Sequence, residues 1–503
     1  MPAIALLIIL SVAILAILFV LVLILLRTVK QKPAGRQMNR IEPAKVDSLN
    51  LAAHLAEVIQ CQTVSMDPPA QKCSPEEQAA IDSNPFTEMH EILMEDYPLV
   101  SRKLVMERIN DYSLLFTWTG SRPDLPAVLF AAHQDVVPVA ESSLDQWDYP
   151  PFSGAIADGF VWGRGSMDIK NQLITLLDAA EYLLERDYQP VRTIYLAFGH
   201  DEEIGGYDGA KAIAGLLKER GVELGAMVDE GSGVHKDGIP GFNIPLALIG
   251  IGEKGHLTLE LSVDSAPGHS SVPTAHTGIG ILARGITRLE NSPMPASLDY
   301  LKPILKVLSP DMPFLTRMAF NNLWLFGGAV KNELAKSPNT NALMRTTTAV
   351  TMIEGGIKDN ILPPHTAAKV NFRLIPGDSV EDVVEHVRRA VDDDRIKIAP
   401  PVNGRGASSI SPADSQAYLT LCDTIRGLFG DLPIAPMLVT GATDARHYSS
   451  ICRNIYRFTP VITGHEDANR VHGVGERISV ENLERMQQFF IELMQAWSEA
   501  PTL

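Results

Sequence analysis

The sequence is short of cysteine and of positive charge, and each shortage closes off a class of function. Its four cysteines, Cys61, Cys73, Cys422 and Cys452, form no CxxC pair in 503 residues, which argues against a zinc site built on sulfur. They do not fix the redox compartment. Lys and Arg number 43 against 60 Asp and Glu, a net charge of −17, and such a surface repels phosphate backbones rather than binding nucleic acid. No internal repeat is present. Long hydrophobic runs are absent too, with one exception. Ala3 to Leu26 is apolar throughout except for Ser11. At about 1.5 Å per residue, a helix of that length crosses the ~30 Å hydrocarbon core with some tilt. It exceeds the ~7–15 residues of a secretory signal core, so the expectation is a retained single-pass helix over 3–26. No charged side chain precedes it, whereas Arg27, Lys30, Lys32, Arg36 and Arg40 follow, and the positive-inside rule then sets the C-terminal bulk in the cytoplasm. Residues 27–46, with Pro33, Gly35 and Pro43, read as a tether.

What the chain does have is a series of short apolar runs that break off into acids and histidine. Ala127–Ala132 runs into His133-Gln134-Asp135, Thr193–Phe198 into Gly199-His200-Asp201-Glu202-Glu203, and Ala226–Val228 into Asp229-Glu230. Runs of this length predict strands of a parallel sheet buried on both faces, whose carboxyl ends collect the functional groups. A helical pattern fills Ile169–Glu185 and another Gly209–Arg220, which makes the region α/β. Asp168 would cap the first of these helices. Strands are also expected at Val100–Val105 and Ser113–Trp118, a first helix from Asp47, and an irregular loop over Ser65–Asn84.

After Gly252 the pattern changes. Strands at Leu257–Val263, Ala342–Ile353, Ala367–Leu374 and Arg395–Ile398 alternate with helices at Thr277–Leu289 and Ser379–Val391 in the order β-α-β-β-α-β, that of a ferredoxin-like layer. Past Pro400 come helices near Ala417–Leu428 and Val480–Trp497. The expected organisation is a catalytic domain in two pieces, 47–252 and 400–499, interrupted by an inserted domain over 253–399.

Carboxylates gathered at neighbouring strand ends raise one another's pKa unless a cation lies among them. Imidazole and carboxylate donors suit zinc, with a position left open for water. The motifs are more specific still. His133-Gln134-Asp135, Trp147 with Gly163-Arg164-Gly165-Ser166-Met167-Asp168 and Lys170, Asp201-Glu202-Glu203 with Gly205-Gly206, and Asp229-Glu230-Gly231 together resemble the di-zinc aminoacylase/carboxypeptidase metallopeptidase family. The likeness covers about Asp47 to Trp497. Through Trp324-Leu325-Phe326, Asn341-Ala342, Arg345-Thr346-Thr347-Thr348 and Arg470-Val471-His472-Gly473 it leans toward the branch with yeast vacuolar carboxypeptidase S and the mammalian N-fatty-acyl-amino-acid synthase/hydrolase.

That resemblance implies a zinc-peptidase-like catalytic domain with a mixed sheet and an inserted ferredoxin-like dimerisation or lid domain. It implies two Zn²⁺ per subunit, held by His133, Asp168 as the bridge, Glu203, Glu230 and His472, with Asp229 the competing choice to Glu230. Asp135 would orient His133, and Glu202 would be the general base. The Asp168–Ile169 peptide would be cis. Through Gly268-His269-Ser270-Ser271 and Gly355-Gly356 … Asn360-Ile361-Leu362-Pro363 … Arg373, it implies that His269 reaches the partner subunit's site in a homodimer and stabilises the oxyanion with Asn360. Arg373 and Arg446 would pair with a substrate carboxylate. The implied substrate is a small molecule or short peptide with a free carboxylate. The alternatives are an aminopeptidase or dipeptidase on the same fold and a non-catalytic metal-binding protein. The apolar residues Phe314 to Phe326, inside Ser292–Pro338, read either as a local core or as an apolar wall facing the site or a bilayer.

Overall fold

A computed structural model describes residues 2–29, 41–65, 84–238, 244–467 and 469–503. Most of the expected loop at Ser65–Asn84 and the tether residues 30–40 lie outside the described residues. Two compact units are formed, one from Gln37–Glu253 with Ser408–Leu503 and one from Lys254–Ala407 with the N-terminal helix.

In the first unit an eight-stranded mixed sheet has the spatial order Val105–Ile109, Ser113–Trp118, Ile194–Gly199, Ala127–His133, Leu224–His235, Ile455–Thr463, Leu246–Glu253, Ile434–Val439. The centre is parallel: Ala127–His133 lies between Ile194–Gly199 and Leu224–His235, all pointing the same way. Period-two alternation sends its side chains into two cores. Val128, Phe130 and Ala132 pack under Ser48–Gln60, Lys170–Glu185, Gln416–Phe429 and Val480–Glu499. Leu129 and Ala131 pack with Ile213, Ala214 and Leu217 from the helix Ala210–Glu219. Burial on both faces explains why this strand is an unbroken apolar run.

The sheet is not parallel throughout, since Val105–Ile109 and Ser113–Trp118 add antiparallel strands at one edge. Val100 does not begin a strand. Pro98–Lys103 is a short helix, started by Pro98 in its first turn and capped by the Glu181 carboxylate, which accepts from the Leu99 and Val100 amides at 2.8 Å each. Nor does Asp168 cap the following helix. Ile169 occupies that position without a side-chain cap, and Asp168 is turned toward histidines instead. Strands Ile434–Val439 and Ile455–Thr463 in the C-terminal piece were not foreseen.

In the other unit an antiparallel sheet has the order Thr347–Gly355, His365–Leu374, Gly255–Asp264, Lys397–Ile398, with Val402–Arg405 also pairing to Gly255–Asp264. Helices Gly278–Glu290 and Val380–Val391 share a core with it. The strand expected from Ala342 begins only at Thr347, because Pro338 starts a helix that runs to Met344. Within 292–338 lie the helices Lys302–Leu308, Phe314–Asn321 and Leu323–Leu334. Val330 is the only buried residue of the last two, with Met318, Phe320, Leu323 and Phe326 half-buried and Phe314, Leu315, Trp324 and Leu325 exposed, so only part of the Phe314–Phe326 stretch serves as local core.

Candidate metal and catalytic site

Parallel register brings the acids together. His133 ends its strand opposite Gly199, so the Asp201–Glu203 turn that follows Gly199 emerges beside it on one side. On the other side Leu224–His235 carries Asp229 and Glu230 past the same level. Asp168 enters from the loop before Lys170–Glu185, after a cis Asp168–Ile169 peptide, and His472 from the loop before Arg477–Ser479. His133 Nε2 lies 3.2 Å from Asp168 Oδ1 and 3.6 Å from Glu230 Oε1. His472 Nε2 lies 3.0 Å from Asp168 Oδ2 and 3.1 Å from Glu203 Oε1. Asp168 thus faces one histidine with each oxygen. Ligand atoms of His133, Asp168 and Glu203 fall within 4.8 Å of one another, as do those of His133, Glu202 and Glu230. Such a donor set, imidazole and carboxylate without sulfur, fits zinc.

Asp135 is fully buried and does two things. His133 Nδ1 donates to its carbonyl oxygen at 2.9 Å, which leaves Nε2 to offer a lone pair toward the cluster. Its two carboxylate oxygens accept the Glu202 and Glu203 amides at 3.1 Å each, fixing the acidic turn against the histidine. Asp229 and Glu230, adjacent in sequence, part company. The Asp229 carboxylate accepts the Glu230 amide at 2.8 Å and the Ala445 amide at 2.7 Å, while Glu230 faces His133.

The electrostatics are those of crowded, dry carboxylates. Burial, then the carboxylates of Glu203, Asp135 and Asp168, raise Glu202 to about 8 against the pull of His133. Burial and Asp168 raise Glu230 well above its usual range. Hydrogen bonds to Asp168 and Glu203 lift His472 to about 10, and although burial opposes it, the charges of Glu230, Asp135 and Asp168 raise His133 as well. Asp168 is held low by the two histidines despite its burial. Cations set among these groups would reverse the carboxylate shifts and displace the imidazole protons.

Two further residues escaped sequence reasoning. Glu476, fully buried, accepts the amides of Gly165, Met167 and Asp168 at 3.0, 2.8 and 3.2 Å with one oxygen, and holds Arg164 Nη1 at 2.5 Å with the other. It therefore ties the Asp168 loop to the segment that carries His472. Asp444, also buried, has its carboxyl raised by burial and by Glu202 and Asp229, and neither oxygen has a hydrogen-bond partner among the described residues. A lone acid in a loop carries no periodic signal, and nothing in the sequence marks either one.

Of the other expected site residues, Arg446 donates from Nη2 to the Gly205 carbonyl at 2.5 Å, so in this structure it braces the turn after Glu203. His269, Asn360 and Arg373 belong to the second unit. There Gly268–His269 pairs with Ile361–Leu362, and the Ser270 amide donates to the Asn360 carbonyl at 3.1 Å, so His269 and Asn360 sit on one exposed ladder. Ser271 Oγ lies 2.7 Å from His269 Nδ1. Arg373 stands opposite Thr347 and His256 in the sheet.

With this geometry in hand, the comparisons are direct. Residues 129–496 match the model of peptidase family M20/M25/M40. The chain belongs to that family. It is 39% identical over 482 residues to an N-fatty-acyl-amino acid synthase/hydrolase of Xenopus tropicalis, covering 94% of this chain and 91% of that one. It is 35% identical over 487 residues to a probable carboxypeptidase S-like protein of Dictyostelium discoideum, with the same coverage. Its fold matches an M20 family metallo-carboxypeptidase from Sulfolobus solfataricus at TM-score 0.63 and 17% identity, over 91% of this chain and 100% of the other. Family membership makes the protein a metallopeptidase-class hydrolase and sets aside the non-catalytic alternative.

Because Glu476 gathers three amides of the Asp168 loop, Glu476→Gln should weaken zinc binding by about 10- to 100-fold, the usual cost of losing support behind a ligand. Competition with a fluorescent chelator measures this. Unchanged affinity would reduce Glu476 to a packing role.

Proposed function

We propose that the protein is a membrane-anchored di-zinc amidohydrolase that cleaves an amide bond beside a free carboxylate, in short peptides or N-acyl amino acids. The reading rests on one observation: five potential ligands, Asp168 among them, converge at one place, with the half-buried carboxylate of Glu202 beside them. In it, His133 and Glu230 would hold one ion and Glu203 and His472 the other, with Asp168 shared between them. Zinc, when bound, supplies Lewis acidity toward the amide carbonyl and toward water. Glu202 accepts the proton of the attacking water at its carboxylate and delivers it to the leaving nitrogen. Asp135 keeps the His133 tautomer and the position of the Glu202 turn fixed while this happens. The unit Lys254–Ala407 is proposed to be the ferredoxin-like dimerisation or lid domain, consistent with its β-α-β-β-α-β order. Arg373 would meet the substrate carboxylate, with Arg446 a second candidate. Aminopeptidase action is the weaker reading, since none of these residues offers an acidic partner for a substrate amine outside the metal cluster. The helix Pro2–Val29 is proposed as the anchor, with the catalytic part on the cytoplasmic side.

Purified protein should carry about two zinc ions per chain by elemental analysis, and Glu202→Gln should keep them while kcat falls by about 10³-fold, since the amide cannot accept a proton. A variant that turns over normally would remove Glu202 from the mechanism; a single ion per chain would remove the bridging role of Asp168.

The shared-site reading draws on two features of the second unit. Thr347–Gly355 is an edge strand, with Met352 and Ile353 exposed, of the kind that pairs across a two-fold axis. His269 and Asn360 are exposed on a separate short ladder. Mixing inactive His269→Ala with inactive Glu202→Gln protein should restore part of the turnover through mixed dimers. No recovery after verified subunit exchange would count against a shared site.

The name of the Xenopus relative bears on the acyl group. If long chains are accommodated, each buried CH₂ contributes about 0.8 kcal/mol before ordering costs. kcat/KM should then climb from N-acetyl to long-chain N-acyl amino acids. A maximum at acetyl, or at short dipeptides, would leave a general carboxypeptidase.

A further inference from the structure

The helical insertion has an apolar surface that neither the metal site nor the core explains. Phe314, Leu315, Trp324 and Leu325 are exposed, Leu315 by 71% and Trp324 by 56%, on the consecutive helices Phe314–Asn321 and Leu323–Leu334. The N-terminal helix packs against the first of these. Its last turn meets the junction between them: Asn322 Nδ2 reaches Thr28 Oγ1 at 3.5 Å, and both residues are fully buried. Ile24 is buried at the same contact level, whereas most side chains from Ile8 to Val29 are exposed.

We infer that Phe314–Asn321 and Leu323–Leu334 dock on the lipid bilayer that the N-terminal helix crosses, forming an interfacial collar around its last turn. This rests on the membrane reading of that helix. The 24 residues Ala3–Leu26 span about 36 Å as a helix, enough to cross the ~30 Å hydrocarbon core with slight tilt. A helix that just fills the core has its last turn at the boundary with the headgroups. Whatever is fixed to Thr28 lies at that level, and Asn322 is fixed to it. The chemistry of the collar suits that level. Trp324 is the residue type enriched at the boundary, and Phe314, Leu315 and Leu325 suit shallow insertion. Residues 292–338 hold five basic side chains and three acidic ones, a balance of +2 in a chain of net charge −17. An otherwise acidic protein is thus locally compatible with anionic headgroups.

The test uses the full chain in phosphatidylcholine/phosphatidylserine vesicles that contain a phosphatidylcholine with a diazirine in its acyl chain. After irradiation and digestion, mass spectrometry locates the lipid-modified peptides. Modification is expected in 314–325 as well as in Pro2–Val29. The double variant Leu315→Glu/Trp324→Glu, its folding checked by circular dichroism, should lose the label on 314–325 and keep it on Pro2–Val29. Label confined to Pro2–Val29 overturns the collar and leaves the anchor standing. No label on either segment overturns both. Equal label around Val272 and Ile357, which are 81% and 97% exposed elsewhere in the same unit, marks nonspecific adhesion and also overturns it. If 314–325 stays free of lipid and Leu315→Glu instead abolishes self-association, the face belongs to a second copy of the chain.

Discussion

Like charges held close together away from water set the terms for the catalytic unit. Glu202, Glu203, Glu230, Asp168, Asp135, Asp229 and Asp444 come together at one level of a central parallel sheet, and burial, with the charge of neighbouring carboxylates, raises Glu202, Glu230, Asp229 and Asp444. The sheet makes this unavoidable. Three neighbouring strands point the same way, two ending at one height and the third passing it, so the acids they carry there are delivered to a common place. Two histidines with raised pKa values stand among them, and Asp168 between those histidines is held low, as is Asp135 beside His133.

Within that crowd, the partner of each carboxylate decides its role. Asp135, Asp229 and Glu476 direct their oxygens at backbone amides or Arg164. Such oxygens are already satisfied, and the free energy they contribute goes into fixing loops: the Glu202 turn, the Glu230 strand and the Asp168 loop respectively. Glu203, Glu230 and Asp168 instead face histidines, with no backbone amide claiming them among the described residues. The division between supports and candidate ligands follows from hydrogen bonding and needs no appeal to motif.

The same distinction explains what could be read from the chain alone. Strand ends at His133 and Gly199 were legible because double-sided burial writes itself as an apolar run and the following polar residues stand out against it, whereas the strand expected to stop at Val228 runs on to His235. The choice between Asp229 and Glu230 was not legible, since alternation puts neighbours on opposite faces but does not say which face holds the cluster; the Ala445 amide, over 200 residues away, is what engages Asp229. Val100–Val105 reads as strand because Leu99-Val100 and Leu104-Val105 stand at its two ends, yet the remote carboxylate of Glu181 caps a helix there. Glu476 and Asp444 were invisible for the same reason, as their meaning lies wholly in distant contacts. His269 and Asn360, also remote in sequence, were reached only through family resemblance, and their pairing on one ladder is a matter of register.

Metal, on this physics, is a structural element as well as a chemical one. Burial and neighbouring carboxylates raise Glu202 and Glu230, so ionising either one costs free energy that a cation beside it would offset. An ion bound to the folded state alone would also stabilise it by its own binding free energy. Asp135 makes the coupling local, because this one buried residue accepts from the His133 ring at its carbonyl oxygen and from the amides of Glu202 and Glu203 at its carboxylate. The ring and the acidic turn are therefore tied to one residue, which is why an acid outside the proposed ligand set bears on the geometry of the groups within it.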